Sequence, residues 1–232
     1  MKIRAGTSGW SYKEWKGHFY PEKIAAKDML KFYAQTFGTV EVNNTFYRMP
    51  KPEAFQAWAA EVPDDFQFVI KASKRITHDR RLGDVADSTA YMLQMAGTLG
   101  PKLGPFLVQL PPNFKKDVDK LRNFLGMLTP PARAAFEFRH ESWYDDEVYA
   151  VLREAKQAWC VADTGEEGDP PFVATCDWGY LRLRKVEYTE DDLKNWAEEI
   201  QRQEWNEAYV FFKHEDEGTG PKLAKRFMEM VA

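Results

Sequence analysis

The chain has 232 residues, is 44% hydrophobic and 29% charged, and carries a formal net charge of −4. That length holds one or two domains, and 16 Phe, 10 Tyr and 8 Trp supply enough apolar surface to exclude a disordered chain. The acidic balance argues against a protein that coats nucleic acid, which would carry a basic excess.

Short apolar runs alternate with helical patterns along the chain. The first strand is predicted over Lys2–Gly9 and a helix over Lys27–Phe37. Strand Thr39–Phe46 precedes helix Pro52–Glu61, and strand Phe66–Ser73 precedes helix Asp87–Leu99. Strand Phe106–Leu110 leads to helix Val118–Leu128. Strand Ala134–Arg139 leads to helix Asp146–Lys156, with Asp145 as its cap. The sixth strand, Trp159–Asp163, is followed by Gly165, Gly168, Pro170 and Pro171, so the sixth crossover helix is expected to be short or absent. Strand Tyr180–Lys185 leads to helix Glu190–Gln203, opened by a Thr189/Asp192 capping box. The last pair is strand Tyr209–His214 and helix Pro221–Val231, with Pro221 in the first turn.

Strands that start roughly 20 to 40 residues apart, alternating with helices except after the sixth, predict an α/β fold: a TIM-type (β/α)8 barrel in one domain, 1–232. The alternative is an open doubly wound sheet. No GxGxxG follows the first strand, which weighs against it.

Cys160 and Cys176 make no disulfide framework. His18, His78, His140 and His214 have no ligand spacing, so a zinc cluster is not expected. Met1 to Gly6 is no signal-peptide core, and no apolar run approaches the ~18 residues of a membrane span. A cytoplasmic protein is the expectation.

Alternate side chains of a barrel strand face the helices and the lumen. With the apolar set turned outward, the second strand points Glu41, Asn43 and Thr45 inward. The third points Lys71 and Ser73 inward, the fourth Gln109, the fifth Glu137 and Arg139, and the seventh Arg182 and Arg184. In the last strand either Lys213 or His214 must point in. With Asp163, these residues gather at the C-terminal mouth, where barrel active sites lie. Glu41, Glu137 and Asp163 face five cations: Lys71, Arg139, Arg182, Arg184 and Lys213. The surplus predicts a small anionic ligand bearing phosphate or carboxylate. The bland alternative is a purely structural polar plug.

Several motifs resemble a known family. Gly6-Thr7-Ser8-Gly9-Trp10-Ser11-Tyr12, with Trp15, Gly17 and Phe19-Tyr20-Pro21, is similar to the opening of the YecE-like proteins, domain of unknown function 72. Glu41 to Arg48, Phe68 to Lys71 with Ile76-Thr77-His78, Leu110-Pro111-Pro112 with Phe114, and Glu137 to His140 with Ser142-Trp143 resemble its later motifs in order. The resemblance implies a TIM-type barrel and supplies no reaction. The chain departs from it at Arg184-Lys185, where many relatives have His-Gly. It departs again at Lys213-His214-Glu215, where many have Asn-Asn-Asp.

Glu41 and Glu137 are the acid/base candidates, with His214 as a proton shuttle. Arg139 beside Glu137 favours an ionised base or nucleophile. Glu41 has only neutral neighbours in its own strand, so burial is expected to raise its pKa and suit a proton donor. The alternative for both is as partners of arginine or lysine. Lys71 is read as a charge stabiliser, in preference to Schiff-base chemistry. Trp10, Tyr12, Trp15, Phe19, Tyr20, Phe46, Tyr47, Trp143 and Tyr144 are expected to ring the mouth, with Trp10, Tyr47 and Trp143 as stacking residues; the alternative is that the group merely roofs the core under long loops. The sequence requires no cofactor. A Mg²⁺ set of Glu41, Glu137 and Asp163 is compatible with the donor types.

The expected function is an enzyme that hydrolyses, isomerises or cleaves a phosphorylated or otherwise anionic sugar-like or nucleotide-like compound. A nucleic-acid-processing hydrolase and a noncatalytic anion-binding barrel are the alternatives.

Overall fold

In a computed structural model, which describes residues 1–130 and 132–232, eight parallel strands form a nearly closed barrel. They are β1 (Lys2–Thr7), β2 (Thr39–Val42), β3 (Gln67–Lys71), β4 (Leu103–Gln109), β5 (Ala134–Glu137), β6 (Ala158–Asp163), β7 (Trp178–Leu183) and β8 (Glu207–Phe212). The order around the sheet is β1-β8-β7-β6-β5-β4-β3-β2. The helices are α1 (Met29–Tyr33), α2 (Pro52–Glu61), α3 (Ala86–Gly97), α4 (Val118–Leu125), α5 (Asp146–Glu154), α6 (Glu190–Gln201) and α7 (Thr219–Val231).

The crossover after β6 carries no helix, as its glycines and prolines predict. Side chains pin it instead. Thr175 Oγ1 accepts from the Trp159 N–H at 2.8 Å and donates to the Gln157 carbonyl. Local capping follows the sequence too. Asp145 accepts from the Glu147 N–H, and Thr189 and Asp192 form a full capping box on α6.

Several strands end earlier than the hydrophobic pattern predicts. β2 stops at Val42 because Asn44–Phe46 turn into a 3₁₀ turn. Thr45 Oγ1 reaches the Val42 and Lys71 carbonyls there, tying that turn to β3. β5 stops at Glu137 and β8 at Phe212, so Arg139, Lys213 and His214 stand on loops.

The lumen is filled in layers. At the N-terminal end Glu207 accepts from Arg4 at 2.6 Å and from Arg133 at 2.9 Å. Above them lies an apolar layer that includes Val69, Leu107, Cys160, Trp178, Tyr180, Tyr209 and Phe211. A second apolar cluster, with Phe66, Phe68 and Phe136, joins the strands to the helices. The C-terminal layer is polar and is described below. Among the described residues no helix is long and apolar enough to cross a membrane.

Closure at β1–β2 is unusual. The two strands meet through a single bridge, Ser8 to Glu41, with the Gly9 N–H donating to the Glu41 carbonyl at 2.8 Å. Below it the buried Tyr33 hydroxyl spans the gap. It accepts from the Thr7 N–H at 2.9 Å and donates to the Thr39 carbonyl at 3.0 Å. Tyr33→Phe removes a partner from two buried backbone groups and is expected to cost about 1–3 kcal/mol. Urea denaturation measures this, and an unchanged midpoint would show that the hydroxyl clasp carries no stability.

Candidate functional site

The polar layer is organised by one guanidinium. Arg182, from β7, is 2% exposed and lies between Glu41 of β2 and Glu137 of β5, which are 0% and 1% exposed. Its Nε and Nη2 donate to the two oxygens of Glu41 at 3.0 and 2.9 Å. Its Nη1 donates to Glu137 at 2.6 Å. Glu41 also accepts from the Tyr180 hydroxyl at 2.6 Å, the Ser8 hydroxyl at 2.8 Å and the Asn43 amide at 3.2 Å. Glu137 accepts from Gln109 at 2.9 Å and from Arg184 at 3.3 Å.

This network corrects the expected role of Glu41. Its neighbours are not neutral, because its charged partner comes from the far side of the barrel. Burial pushes its carboxyl up, but the Arg182 charge and the hydrogen bonds from Tyr180, Arg182 and Ser8 outweigh burial and hold it at about 2. Glu137 is also lowered: burial opposes, and the charges of Arg182 and Arg184 prevail. Five donors occupy Glu41, so it has neither a proton to give nor a lone pair turned to a ligand. Both carboxylates are bound to Arg182.

Above this floor lies a cavity of about 260 Å³. Its lining brings together eight of the sequence-derived candidates: Asn43, Tyr47, Lys71, Gln109, Arg139, Arg182, Arg184 and Lys213. Tyr12 and Phe46, from the aromatic group, and the carboxylate Glu215 complete it. Tyr47 stands 83% exposed at the rim. Among the described residues Lys71, Arg139 and Lys213 form no ion pair. The Lys71 ammonium sits 4.6 Å from the centre of the Phe46 ring. Burial and then the Arg182 charge lower its pKa to about 8, against the pull of Glu41 and Glu137. Nearby, His78 is also lowered, by burial and then by Lys71 and Arg139. The mouth therefore has a positive potential inside an acidic protein.

Four candidates lie elsewhere. Trp143 is fully buried, stacks on Phe138 with centroids 4.6 Å apart and donates its indole N–H to the Phe114 carbonyl. Trp10 is buried edge-on against Trp58 at 5.1 Å. Asp163 turns outward, accepting from Tyr188 and from Trp196 of α6 at 2.9 Å each. His214 donates Nε2–H to the Lys185 carbonyl at 2.7 Å, so Lys213 is the last-strand residue that faces the cavity. The Mg²⁺ set dissolves with Asp163. Arg182 occupies the space between the other two carboxylates, and the described residues hold no cluster of three His, Cys, Asp or Glu side chains fit for a metal.

Ser8 and Tyr180 are the functional-layer residues that the sequence reading missed. Tyr180 was legible, since the parity that turns Arg182 inward also turns Tyr180 inward.

The chain matches the family described as protein of unknown function DUF72 over residues 4–232. It belongs to the DUF72 family. It is 30% identical to the UPF0759 protein YecE of Escherichia coli K12 over 143 residues, which are 61% of this chain and 50% of YecE. The match thus spans about half the length of YecE. It is 26% identical to the UPF0759 protein YunF of Bacillus subtilis 168, covering 99% of this chain and 94% of YunF. A crystal structure of a DUF72 protein of Thermotoga maritima superposes with a TM-score of 0.86 at 29% identity, covering 100% of this chain and 99% of that one. An Enterococcus faecalis DUF72 protein shares the fold, with a TM-score of 0.83 at 20% identity and coverage of 99% and 95%.

Proposed function

We propose that this DUF72 protein takes a small phosphorylated or carboxylate-bearing substrate at the C-terminal mouth of the barrel. The observation that carries this is a set of three cations, Lys71, Arg139 and Lys213, that have no carboxylate partner among the described residues and surround one cavity. Lys71 is half-buried, and such a cation is costly unless paired; Arg139 and Lys213 stand exposed at the rim, where a ligand anion can pair with all three. The Glu41–Arg182–Glu137 floor fixes the base of the cavity, leaving the outer cations to bind. Asn43 gives its amide N–H to Glu41 and leaves its oxygen, buried and without a partner, as an acceptor for a ligand hydroxyl. That favours a sugar-like or nucleotide-like compound. The volume suits a small molecule rather than a nucleic-acid strand. Arg184, Lys213 and Glu215, where the sequence departs from the pattern it otherwise resembles, all line this cavity, so these departures change the charges that meet a ligand there.

Inorganic phosphate at 100 times its Kd is expected to stabilise the protein by about 2.7 kcal/mol. For a chain of this size that is a Tm rise of roughly 5–10 °C. Chloride at equal ionic strength should not match it. Arg139→Ala and Lys213→Ala change exposed side chains and leave the floor intact. Each is expected to weaken phosphate binding about tenfold, by calorimetry, through loss of one charge-assisted hydrogen bond. An equal rise with chloride, or undiminished binding in both variants, would refute the anion site.

A further inference from the structure

We propose that Lys71 is a nucleophilic amine that forms an imine with a carbonyl-bearing anionic substrate held at the barrel mouth. The inference rests on the anion-binding reading above and names the chemistry of that site. Lys71 ends β3, and its side chain lines the cavity, with the amine over the face of Phe46. No carboxylate pairs with it among the described residues. The two carboxylates that would hold its proton, Glu41 of β2 and Glu137 of β5, are already gripped by Arg182. The other charges around the cavity are four cations, Arg182 and Arg184 on and after β7, Lys213 after β8 and Arg139 after β5, against one carboxylate, Glu215, which makes no ion pair with Lys71 among the described residues. A lysine next to other cations, partly out of water, loses its proton more easily and becomes a nucleophile. The same cations hold the anion that carries the carbonyl.

The step balances. The neutral Lys71 Nζ adds to the carbonyl carbon, and the carbonyl π pair moves to oxygen. The carbinolamine then expels that oxygen. Both amine protons leave with it as water, and a C=N bond remains. No oxidant or reductant is needed. At pH 7 about a tenth of an amine with a pKa of about 8 is neutral. For an ordinary lysine the fraction is roughly one in 2,500.

The test uses the wild-type protein, glycolaldehyde phosphate and sodium cyanoborohydride, which reduces the imine to a stable secondary amine. Peptide mass spectrometry reads each lysine. Lys71 is expected to be labelled at least tenfold faster than any other lysine at pH 7, with a rate that climbs to a midpoint near pH 8. Inorganic phosphate should suppress that labelling, and glycolaldehyde without phosphate should label Lys71 at least tenfold more slowly. Labelling of Lys71 no faster than of surface lysines would overturn the proposal. If phosphate still raises the Tm in that case, the imine chemistry falls and the anion site stands. If phosphate neither binds nor protects but Lys71 is labelled selectively by both aldehydes, the nucleophile stands and the anion reading falls.

Discussion

Arg182→Met is expected to destabilise the protein by about 3–5 kcal/mol at neutral pH, the usual cost of leaving buried charge without its partner. Glu41 and Glu137 would stay almost fully buried with their shared cation gone. The pH dependence gives the sharper check. In the wild type the folded pKa of Glu41 is depressed, from 4.5 to about 2, and that of Glu137 is depressed as well. Their stabilisation is therefore complete above the unfolded carboxylate pKa, near 4.5, and is lost as pH falls toward 2. For Glu41 it is on the order of 3 kcal/mol. In the variant the Arg182 charge is absent, so burial raises both pKa values, with Glu137 keeping only the pull of Arg184 at 3.3 Å. Its deficit should be largest at pH 7 and should shrink as acid neutralises the carboxylates. Urea denaturation at pH 7 and pH 5 measures both chains. A gap that stays constant with pH would mean that Arg182 contributes by packing alone. Adding Glu41→Gln and Glu137→Gln to the variant should restore part of the loss, because the two buried side chains left without Arg182 are then neutral.

Gly6→Ala is expected to cost about 3 kcal/mol, the upper end for overpacking. A methyl group there meets the Thr39 carbonyl oxygen, well inside contact distance, and touches the Tyr33 hydroxyl. Both belong to the β1–β2 closure, and the carbonyl is backbone that cannot swing aside. To admit the methyl, β1 and β2 must part, which breaks the Tyr33 clasp as well. The denaturation midpoint should fall accordingly. A fall no larger than that of Tyr33→Phe would mean that the seam relaxes around the methyl without opening.

The strand period made much of the site legible. Lys71, Gln109, Glu137 and Arg182 all lie within regular strands, so two-residue alternation assigns their direction. The same argument loses force where a strand stops. His214 lies two residues past the end of β8, and its ring direction is set by the Lys185 carbonyl. Asp163 ends β6, but hydrogen-bond donors from the segment after β7 decide where its carboxylate goes. Trp143 and Trp10 follow strands in motifs that look exposed, yet their large rings find partners in Phe138 and Trp58. The charge state of Glu41 was hidden for a different reason. Its decisive partner is 141 positions away, and only barrel closure brings them together.

The strand that opens the barrel is also tied to the folding order. β1 pairs with β8 from Lys2 to Thr7, whereas a single bridge and the Tyr33 clasp join it to β2. Arg4 and its partner Glu207 stand 203 positions apart. At translation rates of 5–20 residues per second, roughly 10–40 s separate their synthesis. Throughout that interval β1 has no strand partner for its outer edge, and the six strands from β2 to β7 can only grow as an open, curved sheet. Barrel closure is therefore a late event with a high loop-closure cost, and the unpaired β1 edge is the surface a nascent chain must keep from other chains.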